Sequence, residues 1–174
     1  YSDIAIGTSR LFGFQLMQNF AFPYFSRDIA EFWRRWHISL STWFRDYLYI
    51  PLGGSRGSTN KKVRNIFIIF IVSGFWHGAN WTFIIWGILN AFYFLPLLLF
   101  KTNRDNLNIA AEGKLLPTIR EVLSIFSTFS LTVFAWIFFR AEDINHAISY
   151  ISKIFSNSLF SIPAIFPKKI ILLI

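Results

Sequence analysis

The chain has 174 residues, of which 54% are hydrophobic, 20% aromatic and only 15% charged, with a formal net charge of +8. Those proportions exclude an ordinary soluble domain, and 22 Phe with 7 Trp point to helices that face lipid. The basic residues alternate with apolar runs instead of forming one polar patch, which argues against nucleic acid as a partner, and the absence of cysteine removes disulfides and thiolate nucleophiles.

Residues 1–25 read as a helix in or against the membrane, with small residues Ala5, Gly7, Thr8 and Ser9 suited to close packing and Pro23 near its end. Residues 27–50 read as one amphipathic helix. Ile29, Phe32, Trp33, Trp36, Leu40, Trp43, Phe44, Tyr47 and Leu48 recur at spacings of three and four, and Asp28 is placed to cap the start. On the other side Arg34, Ser41 and Arg45 fall within roughly 40° of one another at 100° per residue, with His37 to one flank. A helix so rich in Trp and Arg lies in the interface plane. Pro51-Leu52-Gly53-Gly54 stops it. The segment 55–64 then holds Arg56, Lys61, Lys62 and Arg64 without an acid, which assigns it to the cytoplasmic face of the cell's inner membrane.

From Ile66 to Phe100 there are 35 residues without Asp, Glu, Lys or Arg. As one straight helix the run would measure about 52 Å, against about 30 Å of hydrocarbon. Either it tilts steeply, or it breaks near 74–80 into two membrane helices. The stretch Ser73-Gly74-Phe75-Trp76-His77-Gly78-Ala79-Asn80-Trp81 supplies the break, and non-helical backbone at that depth requires a protein-lined or watery cavity. Residues 101–118 form a polar loop. A further span runs from about Val122 to Phe139 and ends at Arg140 as an interfacial anchor; Asp143 and Asn145 open another helix through Phe155. His146, among Glu142, Asp143 and Asn145, reads as an ordinary exposed histidine. Both ends look like cuts, with the tail Lys168-Lys169 followed by an apolar run, so residues 1–174 read as part of a single multi-pass membrane domain of a larger protein.

No zinc-ligand spacing, phosphate loop or serine-hydrolase elbow occurs, so neither a metal nor a bound cofactor is expected. What remains is a histidine at membrane depth, where an ionisable group is a functional candidate by default. An unprotonated imidazole accepts a proton from an alcohol, which suits acyl transfer from a thioester to a hydroxyl. Asn80 and the indole N–H groups of Trp76 and Trp81 are candidates to orient it or to polarise the acyl carbonyl. A transporter segment with a proton-relay histidine is a rival, but it would be expected to carry acids inside the span. A non-catalytic scaffold is a second rival.

Two stretches together resemble one family: 31–54, EFWRRWHISLSTWFRDYLYIPLGG, followed by 73–81, SGFWHGANW. Both are similar to the membrane-bound O-acyltransferase (MBOAT) family, in its bacterial AlgI-like and DltB-like branch, and Tyr1–Gly7 with Phe12-Gly13-Phe14 add to the AlgI-like character. The resemblance implies an all-α fold of polytopic membrane helices around a funnel. It implies that His77 is the catalytic histidine and that His37 lies toward the acyl-donor path. Arg34 and Arg45 are then candidates to attract the phosphate of coenzyme A or of an acyl carrier's phosphopantetheine. The implied partners are the lipid bilayer, a thioester donor such as acetyl-CoA or an acyl carrier, and a polysaccharide acceptor or an extracytoplasmic acyltransferase partner protein. D-alanyl transfer to teichoic acid is the alternative.

Overall fold

The computed structural model describes residues 2–156; the basic and apolar tail at 168–174 lies outside the described residues. Among these the chain is all-helical: α1 (Ser2–Leu11), α2 (Ile29–Arg35), α3 (Ile38–Phe44), α4 (Thr59–His77), α5 (Trp81–Leu99), α6 (Ile119–Arg140) and α7 (Ile144–Ile154). A 3₁₀ turn covers Pro23–Phe25, and a π-helical turn, Arg45–Tyr49, continues α3.

The long apolar run breaks where glycine and asparagine allow it. α4 ends at His77, Gly78 to Asn80 turn the chain, and the Asn80 side chain accepts from the Thr82 N–H to start α5. The two helices return on each other as an antiparallel hairpin, so 66–100 is not one tilted crossing. Glycines set how near they come. A Cβ on Gly74 would run into the Phe83 carbonyl, and one on Gly87 into the Phe70 carbonyl. α5 and α6 are each long and apolar enough to cross a membrane. Phe92, Leu123, Phe126 and Phe129 lie exposed along them, as a lipid-facing surface requires.

Two expectations are corrected. Residues 1–25 do not form one helix, because α1 stops at Leu11 and 14–20 are irregular. Residues 27–50 do not form one amphipathic helix either. Asp28 caps α2 as expected, accepting from the Glu31 N–H, but the helix breaks at Trp36 and His37, with His37 at φ 45°. The freed backbone groups find partners in the segment before it. The Ala21 N–H donates to the Arg35 carbonyl, the Ile38 N–H to the Asn19 carbonyl, and the Ser39 N–H to Asn19 Oδ1. No periodicity in 27–50 reports those long-range bonds.

An ionic knot fixes α2. Glu31 is 1% exposed and accepts from Arg27 and Arg35, at 3.1 and 2.8 Å, while Arg27 also reaches Glu121 on α6. Asn65 is fully buried and donates to the Leu52 and Gly54 carbonyls, pinning the turn in which Gly53 and Gly54 take positive φ.

Candidate active site

α4 presents one stripe to a cavity of about 890 Å³: Lys62, Ile66, Ile69, Phe70, Ser73 and His77 recur at helical spacing along its wall. At 1.5 Å per residue Lys62 and His77 stand about 22 Å apart. Trp86, Phe94 and Leu98 of α5 form another wall, Trp136 and Phe139 of α6 a third, and Trp33, Trp36, His37 and Ser41 close the side made by the α2–α3 break.

Of the five cations that line this space, Arg140 follows Phe139 at the His77 end and the other four lie at the opposite end. Because α4 and α5 are antiparallel, Lys62 at the start of one and Lys101 just past the end of the other meet at the same mouth, with Arg45 and Arg104. Among the described residues no Asp or Glu lines the cavity. Arg45 hydrogen-bonds the exposed Asp46 at 2.7 and 3.2 Å, which holds that carboxyl below its ordinary range. Lys62, Lys101 and Arg104 have no side-chain ion pair among the described residues, so this end is an anion-attracting mouth.

At the other end His77 sits in an aromatic box. Its ring meets Phe139 at 4.8 Å, Trp76 at 4.9 Å and Trp86 at 5.3 Å, each edge to face, with Phe83 at 6.1 Å. The imidazole makes no hydrogen bond to the described residues, so neither nitrogen is committed to the protein. His37 lines the same cavity. Its left-handed backbone is uncommon for a residue with a side chain, and its Nδ1 is enclosed without a partner. The indole nitrogens of Trp33 and Trp86 are likewise enclosed and unpartnered. Among the described residues no three His, Asp or Glu side chains converge as a metal would need.

Of the seven residues singled out in the sequence, His37, His77 and Arg45 share this cavity. The other four, Arg34, Trp76, Asn80 and Trp81, stand outside it. Arg34 donates to the Asn103 and Asn106 carbonyls at 3.0 and 2.7 Å, tying α2 to the 101–118 loop, and burial pulls its guanidinium down from the usual range. Asn80 caps α5 and donates through Nδ2 to the Glu142 carbonyl at 2.6 Å. Trp76 is exposed and meets His77 from outside the cavity. Lys62, Lys101, Arg104, Trp136 and Phe139 were not singled out. Their residue types gave no signal, because only the hairpin and the packing of α6 bring them to one space.

The sequence model of the MBOAT, membrane-bound O-acyltransferase family, matches residues 1–139. This chain belongs to the MBOAT family. The match takes in both histidines and all of α6 but its last residue. Among MBOAT relatives, a "Probable alginate O-acetylase AlgI" of Pseudomonas aeruginosa is 47% identical over 90% of this chain and 28% of that protein. A peptidoglycan O-acetyltransferase of Helicobacter pylori is 41% identical over 85% of this chain and 27% of that protein. A teichoic acid D-alanyltransferase of Bacillus subtilis is 34% identical over 84% of this chain and 38% of that protein. The chain thus spans under a third of the length of the alginate acetylase and the peptidoglycan acetyltransferase. MBOAT membership makes it part of an integral membrane protein, in keeping with the apolar α5 and α6.

Proposed function

We propose that this chain, 1–174, belongs to a single multi-pass domain of the cell's inner membrane that carries acyl groups, acetyl in our reading, from a cytoplasmic thioester to a hydroxyl of a cell-surface polysaccharide. The hydroxyl is reached directly or through a serine of an extracytoplasmic partner protein. The observation behind this reading is the single cavity that joins a cationic mouth to His77. A phosphate-bearing donor, coenzyme A or an acyl carrier's phosphopantetheine, is held by charge at Lys62, Lys101, Arg104 and Arg45, and its apolar-walled arm runs along α4 toward His77. The segments 55–64 and 101–118 then share the cytoplasmic face.

His77 takes the acceptor's proton as the acceptor oxygen attacks the acyl carbon, and returns it to the departing thiolate. His37, on the wall of the same cavity, assists on the donor side. The acetyltransferase names of the more similar relatives favour acetyl over D-alanyl transfer, and the more distant Bacillus subtilis relative supports the latter as the second reading.

The test is the O-acetyl content of surface polysaccharide from cells whose full-length protein carries His77→Ala. Loss of acetyl groups at normal membrane abundance supports the reading. Unchanged O-acetylation overturns the role of His77 and directs the same assay to D-alanyl esters.

A further inference from the structure

We propose that the Ser73 hydroxyl is the hydrogen-bond donor that stabilises the oxyanion formed on the acyl carbonyl beside His77; the proposal rests on the acyl-transfer reading above.

Ser73 precedes His77 by four residues on α4, so the two side chains are neighbours on one helix face, about 5–6 Å apart at Cβ. Both line the cavity, and Ser73 is only 7% exposed. A serine inside an apolar helix ordinarily turns its hydroxyl back to a carbonyl three or four residues earlier. Ser9 does so to Ile6 at 2.9 Å, and Thr132 to Thr128 at 2.8 Å. The Ser73 hydroxyl makes no such bond, and has no partner among the described residues.

Several other neutral polar groups on the cavity wall are spoken for or shut in. The Ser41 hydroxyl donates to the Trp36 carbonyl at 3.2 Å, and Ser55 pairs with Tyr49 at the mouth. His37 Nδ1 and the Trp33 and Trp86 indole nitrogens are enclosed against their neighbours and cannot meet a ligand without moving. Ser73 is the open hydroxyl on the same helix face as His77, and Arg140, next to Phe139, is a charged group on the same cavity wall. The position of Ser73 is held firmly, because Gly74 beside it packs against the α5 backbone, and a donor acts on an oxyanion best when it need not reorganise.

The acceptor oxygen forms a bond to the acyl carbon while His77 removes its proton. The carbonyl π pair moves onto oxygen, where the Ser73 O–H donates to it. Collapse re-forms the carbonyl, breaks the carbon–sulfur bond and releases the thiolate, which takes the proton from His77. Ser73 neither loses its proton nor forms a bond to the acyl group.

The experiment uses the full-length protein in membranes, with acetyl-CoA as donor, an alginate oligosaccharide or a peptidoglycan fragment as acceptor, and Ser73→Ala and Ser73→Thr variants at checked abundance. Ser73→Ala is expected to lower kcat about 100-fold with KM for acetyl-CoA within about threefold, and Ser73→Thr to recover kcat to within about tenfold of the parent. Wild-type kcat in Ser73→Ala, or a loss confined to KM or to abundance, overturns the assignment while leaving the acyl-transfer reading intact. Acetyl label retained on the parent protein but absent from Ser73→Ala overturns it in favour of an acyl-serine. Failure of the parent, in membranes that also hold its extracytoplasmic partner, to acetylate either acceptor overturns the function reading, and this assignment with it.

Discussion

Gly74 of α4 faces Phe83 of α5 so closely that one methyl group on the glycine would clash with the Phe83 carbonyl. The relation is reciprocated one helical turn away by Gly87 and Phe70, and together they set the spacing of the hairpin that carries His77.

Gly74→Val and Gly87→Val are accordingly expected to force α4 and α5 apart and to lower membrane abundance severalfold. Gly7→Val, at a site where an added Cβ meets nothing within 4 Å, is expected to leave abundance unchanged. Immunoblotting of membrane fractions checks both; equal abundance of all three would show that the crossing tolerates separation.

Glu31 holds Arg27 and Arg35 from a position with 1% exposure. Glu31→Gln removes the negative charge between two cations in partly buried surroundings, and is expected to destabilise the protein by about 3–5 kcal/mol. Thermal unfolding of the detergent-solubilised protein reads this directly. A shift of under a degree would mean that the knot is too well solvated to matter.

Lys62, Lys101 and Arg104 lie at one mouth of the cavity with no ion pair among the described residues. If each contributes about 0.5 kcal/mol to holding a phosphate, replacing all three by Gln raises KM for the thioester donor roughly tenfold, and kcat changes little. The contribution should shrink as salt is raised, because exposed charges are screened. Initial-rate kinetics at two ionic strengths make the check, and a KM insensitive to the triple change would place donor recognition elsewhere.

His37 combines a left-handed backbone with a place on the cavity wall. Asn tolerates that backbone without supplying an imidazole, whereas Val does not tolerate it. His37→Asn is therefore expected to keep normal abundance and lose transfer activity, and His37→Val to lose both. Full activity in His37→Asn would leave the position with a purely conformational role.

The sequence by itself determined the broad architecture, because its signals are local. Thirty-five residues without a charge, interrupted by Gly74, Gly78 and Asn80, specify membrane helices broken at that motif, and Asp28 announces the start of α2 through its own side chain. The same locality made His77 conspicuous, as a titratable group in a charge-free run. Tertiary structure decided the rest. The periodicity of 27–50 is continuous through His37, yet the helix breaks there because Asn19 and Ala21, distant in the chain, satisfy the opened backbone. Arg34 and Arg45 look equivalent on a helical projection, and packing separates them, one to grip the Asn103 and Asn106 carbonyls and the other to line the cavity. Lys62 and Lys101 are thirty-nine residues apart and become neighbours at one mouth only because α4 and α5 fold back antiparallel. A side chain's type and spacing fix what its own helix does, but which cavity it enters depends on elements that the chain brings alongside later.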